Sequence, residues 1–224
     1  MSTLRPGQSW GTEASGPPDL EVSGGDRMLA EVIGRGLTDP LVRFSAAPDS
    51  DLARAIGLVA GAASTGLALP LDALFVRAGE TDAEMVAVNS VVVGVPPDRL
   101  RAWHRPVALS IEIDGAAVDA ARATALVVMN GQYLRGLDLS PRGHPGDGVA
   151  EAQLYALPPG ARRAMRTRLK TGAHLPHPAI TVRRARRVVV RASRPAALEV
   201  DGAPVGEVTA LDITLRTGAY RLLV

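Results

Sequence analysis

Five short motifs carry glycine or polar side chains that could take part in chemistry. The first is Gly24-Gly25-Asp26, which stands between an apolar segment and an amphipathic one. Because glycine has no Cβ, backbone N–H groups at such a turn can approach an anion at the positive end of the following helix. The motif is therefore a candidate for phosphate contact. The other candidates stand beside turn-forming residues and are Asp51, Asn130, Asp147 and Asp201.

Each motif also has a plain structural interpretation. Asp26 can cap the helix that it begins. Asp-Gly is a common turn dipeptide, so Asp147 and Asp201 can serve their turns alone. Asn130 can hydrogen-bond neighbouring backbone at the end of a strand. The spacing of these residues leaves both interpretations open.

Two strand–turn–helix units must position the first motifs. Residues 20–23 predict a strand that ends at the glycines, and the apolar spacing after them predicts a helix. In the second unit, residues 41–44 predict a strand, Ser50 is the expected N-cap, and residues 51–56 predict a helix that ends at Gly57. The N-terminal part is therefore predicted to be α/β.

From residue 67 onwards, β-branched runs predict mainly strands. These are expected at 73–77, 85–93, 108–113, 125–129, 153–156, 179–182, 188–192, 198–200, 211–215 and 220–224. One helix interrupts them at 159–170, with proline before it and glycine after it. So many short strands indicate a largely antiparallel sandwich or barrel. We therefore predict a flexible leader at 1–19, an α/β segment at 20–66 and a β domain at 67–224.

The composition excludes several classes of function. Aromatic residues make up only 3% of the chain, too few for the stacking platforms of nucleic-acid binders, so no nucleic-acid partner is expected. The chain has no cysteine, which excludes disulfides, Cys-ligated metals and a Cys nucleophile. His174 and His177 lack an obvious third zinc ligand, and no Gly-x-Ser-x-Gly motif indicates a hydrolase.

The net charge of +2 hides a basic segment. Residues 152–198 carry 11 basic and no acidic side chains, whereas residues 1–151 carry 12 basic and 19 acidic ones. Such a segment attracts anionic surfaces, and its plain alternative is a solvated strand face. We expect residues 162–194 to contact a lipid or an anionic membrane surface. A protein partner or a second copy of the chain is the alternative.

The chain shows neither a signal-peptide pattern nor a run of about 20 apolar residues. These observations predict a cytoplasmic protein, with peripheral contact at the inner membrane surface as a further expectation.

A family resemblance gives the motifs a common setting. Residues 127–136, Val-Val-Met-Asn-Gly-Gln-Tyr-Leu-Arg-Gly, are followed by Ser140-Pro141 and by residues 145–149, Pro-Gly-Asp-Gly-Val. This order resembles the C-terminal half of diacylglycerol kinase-like lipid kinases, the group of bacterial lipid kinases and sphingosine kinases. Gly24-Gly25-Asp26, residues 51–57 and Val200-Asp201-Gly202 match further motifs of that family in the same order.

The resemblance implies both a fold and an activity. The fold is a truncated NAD-kinase-like α/β nucleotide domain followed by a larger antiparallel β-sandwich domain. The activity is phosphorylation of a lipid hydroxyl, with ATP and Mg²⁺ as cofactors. By resemblance, Asp201 is the catalytic residue and Asp147 the metal ligand. The residues implied to bind the nucleotide are Gly24, Gly25, Asp26, Asp51 and Asn130.

The chain departs from the family pattern at these motifs. Arg27 follows Gly-Gly-Asp where the family has glycine, Asp49 replaces a glycine of a second loop, and Ala203 replaces an acidic residue. Alanine cannot take a proton, and an aspartate beside phosphate is repelled by it. The sequence therefore leaves two functions open: a lipid kinase with a substituted site, or a non-catalytic homologue that binds lipid, a membrane surface or another protein.

Overall fold

Strands outnumber helices in the computed structural model, which describes residues 10–58, 66–79 and 83–224. The helices are α1 (Asp26–Ile33), α2 (Asp51–Ile56) and α3 (Arg162–Leu169), the last preceded by a 3-10 turn at Pro159–Ala161. The strands are β1 (Thr12–Glu13), β2 (Leu20–Gly24), β3 (Leu41–Ala46), β4 (Leu67–Ala78), β5 (Glu84–Ala87), β6 (Ser90–Gly94), β7 (Leu109–Ile113), β8 (Ala116–Val118), β9 (Ala125–Met129), β10 (Tyr133–Leu134), β11 (Leu137–Asp138), β12 (Ala150–Tyr155), β13 (Ile180–Ala185), β14 (Arg187–Val200) and β15 (Ala203–Leu223).

The two predicted strand–helix units are present at the N-terminal side. Strand β2 ends at Gly24, whose φ of 135° favours glycine, and α1 follows at once. Helix α2 begins after Ser50, whose hydroxyl accepts a 3.0 Å hydrogen bond from the N–H of Ala53. It ends at Gly57, which is left-handed with φ 70°. Strands β2 and β3 pair in parallel, so the starts of both helices lie at the same edge.

One sheet connects the N-terminal units to the strands that follow. Strand β3 pairs in parallel with the end of β15, from Leu41 opposite Arg221 to Arg43 opposite Leu223. From β15, antiparallel neighbours continue through β14, β6, β9, β12 and β13 on one side and β4 and β1 on the other. The first half of β14 pairs with β7 and its second half with β6, so this strand belongs to both layers of a sandwich.

The three largest apolar clusters of the described residues hold these layers together. The largest fills the sandwich between strands β4, β6, β7, β9, β12, β14 and β15. A second packs α1 and α2, through fully buried Leu29 and Leu52, against β3 and β15. The third places Met165 and Leu169 of α3 on β9 and β12. Within the described ranges, no helix is both long and apolar enough to cross a membrane.

The structure corrects three predicted strand assignments. The predicted strand 85–93 is two strands, β5 and β6, separated by a tight connection. The predicted strands 188–192 and 198–200 are one strand, β14, which contains a register shift. Likewise 211–215 and 220–224 belong to the single strand β15. Residues that favour turns or interrupt strand pairing, Asn89, Pro195 and Gly218, stand at these three irregularities.

Part of the predicted flexible leader lies in the sheet. Strand β1 pairs with the start of β4, and the ring of Trp10 meets that of His144 edge-on, with centroids 4.4 Å apart. These residues of the predicted leader are thus placed against the sheet, residues 1–9 lie outside the described part of the chain, and the flexible leader stays a prediction. The boundary at residues 66 and 67 stays a prediction, because β3 and β15 share one sheet across it.

Candidate functional site

A cleft of about 460 Å³ lies where the two helix starts face two turns of the β strands. The start of α1 and the start of α2 form one side. The turn between β10 and β11 and the turn between β14 and β15 form the other. The residues that line it are Gly25, Asp26, Arg27, Asp49, Asp51, Arg54, Arg135, Gly136, Asp201, Gly202 and Ala203. The structure thus brings together four of the predicted site residues: Gly25, Asp26, Asp51 and Asp201.

Asp26 holds the two helix starts together. One carboxylate oxygen accepts a 2.5 Å hydrogen bond from the Ser50 hydroxyl, and the other accepts from the backbone N–H groups of Asp51 (3.1 Å) and Leu52 (3.0 Å). Asp26 therefore caps α2. The structural interpretation had predicted instead that it caps α1, the helix that it begins. Burial raises the pKa of Asp26, against the lowering effect of these hydrogen bonds.

Asp51 extends the same arrangement to the β strands. Its oxygens accept hydrogen bonds from the N–H groups of Arg135 (2.5 Å) and Gly136 (2.7 Å). Both residues are left-handed, with φ of 51° and 73°, so the carboxylate stabilises a turn that the backbone alone does not favour. Burial raises the pKa of Asp51. The side chain thus ties α2 to the β10–β11 turn.

Asp201 performs the same task on a third turn. Its carboxylate accepts hydrogen bonds from the N–H groups of Val88 (2.9 Å), Asn89 (2.9 Å) and Ser90 (2.8 Å), which connect β5 to β6. This contact explains why the predicted strand 85–93 is interrupted. Burial raises the pKa of Asp201 to about 7, against the lowering effect of the three N–H groups.

Arg135 is a cleft residue with a role that the sequence did not reveal. Its guanidinium donates to both carboxylate oxygens of Asp98, at 2.5 Å and 3.1 Å, and it also contacts Glu199. Glu199 is 7% exposed, so this ion pair is largely removed from water. The sequence signal that could have found it is its place in the segment 127–136, which carries the family resemblance. The positive charge that Arg135 brings to the cleft is therefore already compensated.

Comparison with known proteins shows the family to which this fold belongs. Residues 80–224 match the family model described as the YegS C-terminal NAD kinase beta sandwich-like domain. The chain belongs to this family. The β-sandwich predicted for the C-terminal part is thereby confirmed. No curated protein matches the sequence.

Solved structures with the same fold extend over most of the chain. A putative diacylglycerol kinase from Bacillus anthracis str. Sterne has a TM-score of 0.71 at 15% identity, over 92% of this chain and 77% of that one. A second such structure from the same source has a TM-score of 0.70 at 14% identity, over 92% and 78%. An NAD kinase from Archaeoglobus fulgidus in complex with ATP has a TM-score of 0.51 at 15% identity, over 92% and 78%. At these identities the likeness shows the fold, which is NAD-kinase-like.

Three predicted site residues, Gly24, Asn130 and Asp147, lie outside the cleft of this family member. Gly24 ends β2, where an added Cβ would stand 3.1 Å from Cγ of Met28. Asn130 is 1% exposed, and its amide donates to the carbonyls of Asp72 (2.9 Å) and Val88 (2.8 Å), so it fastens backbone at a strand end. Neither residue lines the cleft.

Asp147, the predicted metal ligand, also lies elsewhere. It accepts a 3.1 Å hydrogen bond from the N–H of Val149, and its carboxylate stands 3.9 Å from the guanidinium of Arg184. Burial raises its pKa, and the charge of Arg184 lowers it. Across the described part of the chain, no three His, Cys, Asp or Glu side chains come together to hold a metal ion. The described residues therefore offer no ready-made set of three such ligands for a metal ion.

The cleft also fits a nucleotide triphosphate poorly. In its favour, a Cβ on Gly25 would meet nothing within 4 Å, so the turn before α1 is open. Against it, four aspartates line the cleft and two of its three guanidiniums are compensated: Arg27 contacts Glu31 at 3.0 Å, and Arg135 is paired as described. Arg54 lies over the ring of Tyr133, 5.7 Å from its centroid. The surplus of carboxylates opposes a polyanion.

The basic segment divides into structural and exposed arginines. Arg162 is 2% exposed and donates to backbone carbonyls, including that of Leu157 at 3.0 Å. Arg187 pairs with Asp212 at 2.5 Å. The remaining basic side chains that are exposed include Arg163, Arg168, Lys170, Arg183 and Arg191. Only part of the segment is therefore available to an anionic partner.

Proposed function

We propose that this chain is a non-catalytic homologue of lipid kinases that binds an anionic lipid surface. The observation that carries the proposal is the engagement of the cleft carboxylates. Asp26, Asp51 and Asp201 together accept eight hydrogen bonds, seven from backbone N–H groups and one from a hydroxyl. Because a buried N–H without an acceptor is costly, these carboxylates serve best as fixed connections between turns.

The binding function rests on the exposed cations of the basic segment. Residues 152–198 contain no acidic side chain, so the exposed arginines of α3 and β13 project a positive field. An anionic bilayer attracts such side chains by about 1 kcal/mol each. Peripheral contact with a membrane, from the cytoplasm, belongs to the same proposal.

Catalysis and binding are tested on the purified chain. With labelled ATP, Mg²⁺ and a panel of diacylglycerols and sphingoid bases, we expect no labelled lipid, and no shift of the melting temperature by ATP. Vesicles that mix phosphatidylcholine with phosphatidylglycerol should bind the chain, and salt should weaken that binding because it screens exposed charges. Labelled lipid, or binding that ignores both salt and anionic lipid, would contradict the respective half of the proposal.

A second candidate function is ATP-dependent phosphorylation of a lipid hydroxyl. One observation favours it: Asp201 borders the cleft with its pKa raised by burial to about 7, where a carboxylate can accept a proton near neutral pH. This candidate requires turnover that is lost in Asp201→Asn and retained in Asp49→Asn. Asp49 is the matched control because it lines the same cleft and is exposed. Turnover with that pattern would establish the kinase and exclude the non-catalytic function.

A further inference from the structure

The connection between β6 and β7 displays a tryptophan to solvent. Trp103 is 75% exposed, whereas no other exposed large apolar side chain in the described ranges exceeds 50%. Its indole lies beside the ring of the neighbouring His104, with centroids 5.8 Å apart. A tryptophan buries more apolar area than almost any other side chain when it finds a partner. Its position in this connection therefore calls for an explanation.

Guanidinium groups hold the backbone around Trp103. Arg162 of α3 donates to three carbonyl oxygens, those of residues 101 (2.8 Å), 102 (3.1 Å) and 104 (2.6 Å). Arg166 donates to the carbonyl of residue 100 at 2.5 Å, and Arg194 to that of residue 106 at 3.2 Å. Three arginines of the basic segment thus fix the connection on both sides of the indole. Trp103 is presented by a supported backbone.

The surroundings of the indole are positively charged. Residues 99–105, Arg-Leu-Arg-Ala-Trp-His-Arg, and residues 159–170, which include α3, contain no acidic side chain. Arg105 and Arg163 are exposed, and neither has an ion pair within the described residues. Asp98, the nearest acid along the chain, is held by Arg135 at 2.5 Å. An exposed indole among uncompensated guanidiniums is complementary to a surface that is both apolar and anionic.

We propose that Trp103, Arg105 and Arg163, the Trp103 surface, dock the protein on an anionic phospholipid bilayer. The indole lies between head groups and hydrocarbon, where an apolar body with a polar N–H is favoured. The guanidiniums contact lipid phosphates. The inference rests on the lipid-binding half of the proposed function and names the residues that perform it.

The test measures vesicle binding of the full chain and its Trp103→Ala variant. Vesicles of phosphatidylcholine alone are compared with equal mixtures of phosphatidylcholine and phosphatidylglycerol. We expect Trp103→Ala to weaken binding to the mixed vesicles by about tenfold, because the variant loses the burial of one large side chain. Arg105→Gln and Arg163→Gln should each weaken it by about fivefold. Leu37→Ala is the matched control, since Leu37 is 50% exposed in the α1–β3 connection.

Fluorescence provides a second readout. The chain has two tryptophans, so a Trp10→Phe background leaves Trp103 as the sole indole. Its emission should move to shorter wavelength on mixed vesicles and stay unchanged on phosphatidylcholine. Circular dichroism confirms that each variant is folded.

The outcomes separate this inference from the proposed function. Binding that depends on salt but is equal in wild type and Trp103→Ala overturns the Trp103 surface and leaves lipid binding intact. Absence of any vesicle binding by wild type overturns both. If Trp103→Ala instead abolishes a dimer in sedimentation velocity and leaves vesicle binding unchanged, the surface joins two copies of the chain and the bilayer assignment is wrong.

Discussion

Replacement of Asp201 by alanine would remove the acceptor of three backbone N–H groups at once. Those N–H groups, of residues 88–90, lie 2.8–2.9 Å from the carboxylate oxygens. A hydrogen bond of this kind contributes about 1 kcal/mol net, so the variant should lose about 3 kcal/mol of unfolding free energy below neutral pH. For a chain of 224 residues this corresponds to a melting temperature lower by about 6–12 °C.

The loss should depend on pH, with a definite sign. Burial raises the pKa of Asp201 from its ordinary 3.8 to about 7. Between these values the folded state keeps a proton that the unfolded state releases. The contribution of Asp201 to stability is therefore complete below the lower pKa and is lost as the pH rises through about 7. The gap in melting temperature between wild type and Asp201→Ala should be wider at about pH 5 than at about pH 8.

Thermal denaturation followed by circular dichroism, for both proteins at both pH values, measures this gap. Asp49→Ala is the control, an exposed carboxylate of the same cleft, and should change the melting temperature little at either pH. A gap of the same width at both pH values would refute the assignment of the raised pKa to Asp201. If Asp201→Ala lowers the melting temperature no more than Asp49→Ala does, the role of the Asp201 hydrogen bonds is refuted.

Two further changes test the connections described above. Asp51→Ala removes the acceptor of both N–H groups in the β10–β11 turn and should lower the unfolding free energy by about 2 kcal/mol, measured by urea denaturation. Gly94→Ala places a Cβ 2.8 Å from the carbonyl oxygen of Thr124 at a φ of 90°, and should cost about 1–3 kcal/mol in the same assay. Gly25→Ala is its control, because a Cβ there meets nothing within 4 Å, and a comparable loss in Gly25→Ala would count against the steric argument.

The helices that border the cleft were predictable from local signals. Ser50 and Gly57 mark the ends of α2 in the sequence, and the structure has the helix between them. The glycines at the end of β2 likewise predict where α1 begins. These signals act within a few residues, through capping and left-handed turns, so a single chain is enough to recognise them.

The contacts of the site depend on partners that are distant in sequence. Asp26 caps a helix whose N-cap is Ser50, 24 residues further on. The interruption of the valine-rich run 85–93, at Asn89, is stabilised by a carboxylate at position 201, more than 100 residues further on. The family order of motifs predicted that Asp26, Asp51 and Asp201 are site residues, and the structure does bring them to one cleft. Asn130 and Asp147 share that order but fasten backbone elsewhere.

The parallel pairing of β3 with β15 has a consequence for the order of folding. Strand β3 contacts β2 on one side, and on the other it needs residues 221–223. During synthesis the first strand–helix units therefore lack this neighbour until β15 has been made. Contacts of such long sequence separation slow folding and leave strand edges exposed meanwhile. The N-terminal units consequently depend, for one side of β3, on a strand that is distant in sequence.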